Sequence, residues 1–175
     1  MKKMIIAPDR LAVGTHSLWD EQWLLLGAGD FSNNKFNAMT VGWGSLGTMW
    51  GKPFAQIVVR PTRHTFEFLE KYPSFTLSAF PTHFRDDLLV LGTKSGRDSD
   101  KIRETQLTPC ESTQVAAPSF QESELSIECR TMYWQDMDPG QFLKSDIISH
   151  YPQSDFHRIY FGEIVAILGI DRYHL

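Results

Sequence analysis

The chain has 175 residues, with 17 lysines and arginines against 21 aspartates and glutamates, for a net charge of −4. No basic stripe interrupts it, which argues against a nucleic-acid partner, and the length suits one domain, 1–175, with a substantial core. Cys110 and Cys129 stand nineteen apart with no C-x-x-C companion, so the chain reads as a reduced, cytoplasmic protein without a zinc motif or disulfide framework.

The N-terminus, MKKMIIAPDR, begins with cations, but its apolar run from Met4 to Ala7 ends at Pro8 and Asp9, too short for a secretory leader. No apolar stretch approaches the roughly twenty residues that cross a bilayer. Trp23 to Leu26 predict a short apolar strand, and Gly27 to Lys35 supply turn chemistry leading by a hairpin into a strand from Asn37. In that strand Met39, Val41 and Trp43 alternate with Ala38, Thr40 and Gly42, so one face is bulky and the other nearly bare. A bare face suits either a ligand lying on backbone or a tight bend at a barrel corner.

Gly42, Gly44 and Gly47 in GWGSLG satisfy G-x-G-x-x-G, the spacing of a dinucleotide fingerprint. That fingerprint requires a helix next, and Thr48-Met49-Trp50-Gly51-Lys52-Pro53 leave no room for one. The dinucleotide reading fails on context. Phe54 to Val59 reads instead as a strand, and Thr65 to Lys71, with Phe66 and Leu69 on one face, as a short helix. Pro61 and Thr62 lie just ahead of it, where a proline and a capping hydroxyl are common. Two arginines and two threonines between Arg60 and Thr65 thus gather at a helix N-terminus, which makes a phosphate-site candidate. A capped helix with solvated arginines is the alternative.

Ser74 to Phe80 alternates as a third strand with Phe75 and Leu77 on one face and Thr76 and Ser78 on the other. Thr82 to Leu91 predicts a helix that stops at Gly92. The polar run Lys94 to Lys101 lacks the EF-hand pattern, because Ile102 stands where a third ligand should be; it suits a second anion-binding loop or a solvated turn. Thr105 to Gln121 reads as a long loop. The last third is expected to be strand and turn: Glu124 to Trp134 as a half-buried strand, a turn at Asp138-Pro139-Gly140, then Phe156 to Ile170 with a bulge or bend at Gly162. Several strands with few helices indicate a closed or nearly closed antiparallel barrel.

No G-x-S-x-G elbow, H-E-x-x-H pair or kinase signature is present, so no catalytic side chain and no metal ligand set is named. The histidines at 16, 64, 83, 150, 157 and 174 are scattered without metal-ligand spacing, and His157 is taken as structural. Anion-site candidates without an acid, base or nucleophile fit an enzyme whose cofactor performs the chemistry.

Several blocks together resemble the flavin reductase-like proteins of the FMN-binding split-barrel fold, especially the flavoredoxin branch. They are Asn37 to Ser45, Gly51-Lys52-Pro53, Val59 to Thr65 with Glu67-Phe68-Leu69, Phe75 to Ser78, Ser95 to Asp98 with Asp100-Lys101, and Gly162-Glu163-Ile164. The resemblance implies a mainly β, antiparallel split barrel of Greek-key type with a few short peripheral helices, assembled as a homodimer with one FMN per subunit near the interface. By the same resemblance Met39, Thr40, Val41, Gly42, Ser45 and Leu46 line the isoalloxazine ring. Arg60, Thr62, Arg63 and Thr65 then approach the phosphate, and Ser95 and Lys101 complete its site. The implied activity is hydride transfer from NADH or NADPH to flavin, with electrons passed on to free flavin, an iron complex or a partner protein. A non-enzymatic FMN-binding electron carrier, a flavin-responsive binding protein, or a barrel that does not use FMN are the alternatives. Trp43 and Phe80 are conceivable ring-stacking groups, with core packing the default for both.

Overall fold

The computed structural model describes residues 2–175. Its strands are β1 (Met4–Ile5), β2 (Leu24–Asp30), β3 (Lys35–Val41), β4 (Gly44–Met49), β5 (Lys52–Val59), β6 (Ser74–Ala79), β7 (Pro109–Cys110), β8 (Ser119–Phe120), β9 (Leu125–Asp136) and β10 (Arg158–Gly169). The helices are α1 (Ser17–Asp20), α2 (His64–Lys71), α3 (Arg85–Thr93) and α4 (Ser145–Ile148).

One antiparallel sheet carries the fold, in the order β3-β2-β6-β9-β10-β5-β4 with β1 added beside β10; β7 and β8 form a separate pair. The two ends of this path, β3 and β4, are neighbours in sequence, joined only by Gly42-Trp43, yet they share no ladder. The sheet therefore curls back on itself without closing. Its seam lies at the glycine-rich segment.

That segment is not the connection expected from sequence. Gly44 to Met49 forms a strand, hairpinned to β5 from Gly44↔Ile57 to Met49↔Lys52 through a turn in which Trp50 and Gly51 both have positive φ. Gly44 is required by packing: a Cβ there would lie 2.4 Å from two ring atoms of Trp19, which is buried in the core. Similarly, β2 continues through Gly27 to Asp30 where a turn was expected, and the chain reverses at residues 31–34.

β2 is buried on both faces. Leu24, Leu26 and Ala28 join the barrel core with Val41, Ile57, Phe75, Leu77 and Ile127, while Leu25 joins a second cluster with Phe80, Leu88, Leu91, Ile102 and Leu107 beneath α3. β6 alternates apolar and polar residues as expected, yet all six, Thr76 and Ser78 included, are buried. The reason is the 105–121 segment, which packs over the outer face: Thr76 Oγ1 donates to Pro118 O at 2.5 Å, and the buried Glu128 carboxylate accepts from Thr113 N and Gln114 N. Polar residues on this face therefore mark an internal hydrogen-bonded contact.

Two further expectations need adjustment. α3 runs through Gly92 to Thr93, and Gly92 serves close packing instead of termination, since a Cβ would sit 3.2 Å from Thr40 Cβ. The last third also contains a helical turn, α4. The irregularity at Gly162 is present as a register shift, where Phe161 pairs Tyr133 and Gly162 pairs Thr131, so the extra residue, Met132, lies on β9.

Candidate functional site

The site is built around β3, which among the described residues pairs only with β2. An edge strand leaves alternate backbone amides and carbonyls without sheet partners, and here they lie along Met39 to Gly42. Met39, Thr40, Val41, Gly42 and Trp43 line a cleft of 230 Å³ with Val58, Arg60 and His157. A second cleft of 230 Å³, walled by Trp23, Leu88, Leu89, Gly92 and Thr93, shares Thr40 and Gly42 with the first. The two together form a groove across the strand. Thr40 Oγ1 donates to Leu88 O at 2.5 Å, tying α3 to this wall.

At the β5–α2 corner, helix α2 starts without a side-chain cap: its N-cap is Arg63 in extended conformation, one residue after the predicted Thr62. The first amides of the helix therefore lack the hydroxyl partner expected from sequence. Arg63 Nη2 donates to Gly92 O at 2.6 Å, and Lys101 Nζ donates to Leu91 O at 2.7 Å and Lys94 O at 3.0 Å. Both cations thus meet the carbonyl end of α3, which favours positive charge.

Neither Arg63 nor Lys101 has an ion-pair partner among the described residues, although Lys101 is only 2% exposed. Burial first, then the Arg63 charge, push the Lys101 ammonium down to about 8. Burial, then Arg60, likewise hold the Arg63 guanidinium below its ordinary value. A buried ammonium beside a half-buried guanidinium, with no carboxylate to balance them, favours an anion. Thr65, 1% exposed, accepts from Asn37 Nδ2 at 2.9 Å, which links this corner to the start of the β3 groove.

The remaining residues named from sequence are dispersed. Arg60 Nη1 holds Asp155 at 2.8 and 2.9 Å and Nη2 donates to His150 O at 2.7 Å, with the guanidinium over the Tyr151 ring, so Arg60 clasps the segment before β10. It still lines the first cleft. Thr62 is exposed and gives its carbonyl to Arg97, whose side chain also pairs with Glu67. Ser95 Oγ accepts from Arg97 N at 3.2 Å. In the same loop Lys94 pairs with Glu104, leaving Lys101 as its buried cation. Ser45 and Leu46 lie outside both clefts; Ser45 Oγ donates to Gln56 Oε1 at 2.8 Å and Leu46 packs on the core.

Trp43 is 50% exposed and stands beside the cleft, whereas Phe80 is core. His157, taken as structural from sequence, lines the cleft. Its Nδ1 is 2.9 Å from Tyr151 Oη, its ring lies 5.2 Å from that of Trp43, and burial with the Arg60 charge, against Asp155, pushes it down to about 4. It is therefore neutral near pH 7. Its only sequence signal was an apolar strand just downstream, which does not place it beside Gly42.

Residues 24–173 match the family described as the flavin reductase like domain. The chain belongs to that family. Among solved structures it is similar to a putative flavin reductase with a split barrel domain from Shewanella frigidimarina, at TM-score 0.67 and 21% identity over 86% of this chain and 67% of that one. It is also similar to the flavoredoxin of Methanosarcina acetivorans, at TM-score 0.65 and 21% identity over 88% of this chain and 71% of that one. An uncharacterised protein of Archaeoglobus fulgidus is 22% identical over 79% of this chain and 68% of its own length, and the chain spans 45% of one from Pyrococcus abyssi. The split-barrel architecture expected from sequence is thus the fold of this family member, with β3 and β4 as the two lips of its seam.

Proposed function

We propose that this flavin reductase-like protein binds FMN along β3 and accepts hydride from NADH or NADPH, passing electrons to free flavin, an iron complex or a partner protein. The observation that carries this reading is the half-buried Arg63 and the buried Lys101, without ion-pair partners among the described residues, meeting at the end of α3 beside a groove floored by edge-strand backbone. A phosphomonoester carries nearly two negative charges near neutral pH and needs several donors, which these cations and the uncapped amides of α2 provide. The residues present fit the group. Met39 to Gly42 would face the ring through backbone, with Trp43 and neutral His157 beside it.

When bound, flavin supplies the hydride-accepting centre. The chain's part is to hold and orient: β3 offers unpaired backbone groups, α3 and Trp23 wall one side, and Trp43 and His157 bound the other. No side chain of the groove is required to move a proton. The homodimer is part of the same proposal, supported by Trp50, Tyr133 and Trp134, which remain 61%, 43% and 49% exposed on β4–β5 and β9; sedimentation equilibrium tests it.

The deciding measurement is the visible spectrum of the purified protein with FMN, before and after anaerobic NADH and NADPH. A protein-bound flavin spectrum bleached by either nucleotide is the expected result. Similarity to a flavoredoxin favours one second reading, a non-enzymatic electron carrier. Binding without bleaching would select it, and absence of flavin binding would remove both.

A further inference from the structure

Trp23 walls the second cleft beside Gly42, and packing alone does not account for how it is held. It leads into β2 with a φ of 59°, in the left-handed region that glycine ordinarily occupies where a helical turn ends. That backbone is strained for a bulky side chain, and a glycine makes such a turn without strain. The turn therefore does not explain the indole. Half-buried, it rests on the apolar cluster beneath α3 with its pyrrole edge toward β3: a Cβ added to Gly42 would lie 3.6 Å from Trp23 Cδ1 and 3.8 Å from Nε1. The N–H at Nε1 has no acceptor among the described residues, and it is not sealed inside the protein.

Arg85, the first residue of α3, lays its guanidinium over the indole at 3.1 Å from the ring centroid and donates from Nη1 to Glu21 O. Among the described residues no carboxylate pairs with it, Asp86 and Asp87 of the same turn included. A cation at a helix N-terminus also opposes the helix dipole. What favours the guanidinium here is the indole face. A free N–H donor thus meets the groove on one edge of Trp23, with a positive charge held against its ring.

Hydride addition places one negative charge on a flavin ring, so a donor at the ring edge and a cation behind it favour the reduced form over the oxidised one. We propose that the Trp23 N–H contacts the edge of the bound flavin ring beside Gly42, and that Arg85 is a positioning residue whose stacked charge, acting through the indole, raises the flavin's reduction potential. The inference rests on the reading of the β3 groove as the flavin site.

The test is the midpoint potential of the FMN-loaded protein, set against a reference dye under anaerobic conditions, together with the Kd for oxidised FMN. Trp23→Phe removes the N–H and keeps an aromatic wall; it should weaken binding of reduced flavin relative to oxidised flavin roughly tenfold, because charge-assisted hydrogen bonds are about twice as strong as neutral ones. For a two-electron couple that is a fall of about 30 mV. Arg85→Met leaves the indole untouched and should shift the same ratio in the same direction by about threefold or more, whereas Arg85→Lys, which keeps the charge, stays closer to wild type. A merely structural role moves the affinities of both flavin forms together and leaves the potential where it was. An unchanged potential in either Trp23→Phe or Arg85→Met, or an equal fall in Arg85→Lys and Arg85→Met, therefore overturns the inference while leaving the FMN reading intact. Failure of the wild-type protein to bind FMN removes that reading and this inference with it.

Discussion

Replacing Lys101 by methionine separates a phosphate ligand from a helix cap. A fall from 10.5 to about 8 corresponds to roughly 3 kcal/mol against the charged ammonium in the free protein, an upper figure because residual solvent screens it. Against this, its two hydrogen bonds to Leu91 O and Lys94 O contribute about 1 kcal/mol each, more if the carbonyls are left without partners. The terms nearly cancel, so Lys101→Met should move stability by no more than about 1 kcal/mol, or roughly 2–4 °C in Tm. Binding should respond very differently: a charge-assisted hydrogen bond is worth about 1.5–3 kcal/mol, which is roughly 10- to 150-fold in Kd. Flavin fluorescence titration and thermal unfolding of the same preparations read the two quantities. An FMN Kd within twofold of wild type, or a Tm loss so large that it accounts for weaker binding, would refute the reasoning.

Lys101 also sets a pH dependence. Its folded value lies below the unfolded 10.5, so the free protein gains stability as pH rises from about 8 to 10.5 and loses it as pH falls through about 8. FMN affinity runs the other way, declining above pH 8 as the ammonium deprotonates, and Lys101→Met should flatten this limb in titrations at pH 7 to 9.5. His157 is held neutral down to about 4, so acid destabilisation between pH 6.5 and 4 should shrink in His157→Gln, measured by urea midpoints across that range. Arg60→Ala and Asp155→Asn should lower FMN affinity by the same factor if Arg60 acts by clasping the 150–155 segment; a much larger loss in Arg60→Ala alone would place its guanidinium on the phosphate. Gly44→Ala should cost on the order of 1–3 kcal/mol of stability through overpacking against Trp19, visible as a lower Tm, and an unchanged Tm would contradict that contact.

Strand existence was legible along most of the chain because alternation survives wherever one face meets the core, as in Phe75-Leu77 and Leu125-Ile127-Cys129. Boundaries failed at glycines. Gly27, Gly44 and Gly92 read as punctuation, yet each lies inside an element and makes room for a neighbour: Thr76 and Pro118 O, the Trp19 ring, and Thr40. That space is supplied by residues far away in sequence, and no local pattern announces it. The polar face of β9 near Glu128 was expected to be open for a related reason, since the segment covering it and Thr76 of β6 follows its own hydrogen bonds to those two residues.

By itself, the sequence determined that the chain is mainly β, that a dinucleotide fingerprint is ruled out by the residues after Gly47, and that cations and a helix start coincide near Arg63. These are local properties, set by side-chain period and backbone permissions over a few residues. Only the tertiary structure decided which cations remain unneutralised. Asp155 takes Arg60 and Glu67 takes Arg97, whereas folding of the 94–101 loop buries Lys101 at the end of α3 without a carboxylate. Charge balance depends on distances across the fold, because Coulomb interactions weaken steeply with separation and solvent, and those distances are fixed only once β3, α2 and α3 pack together.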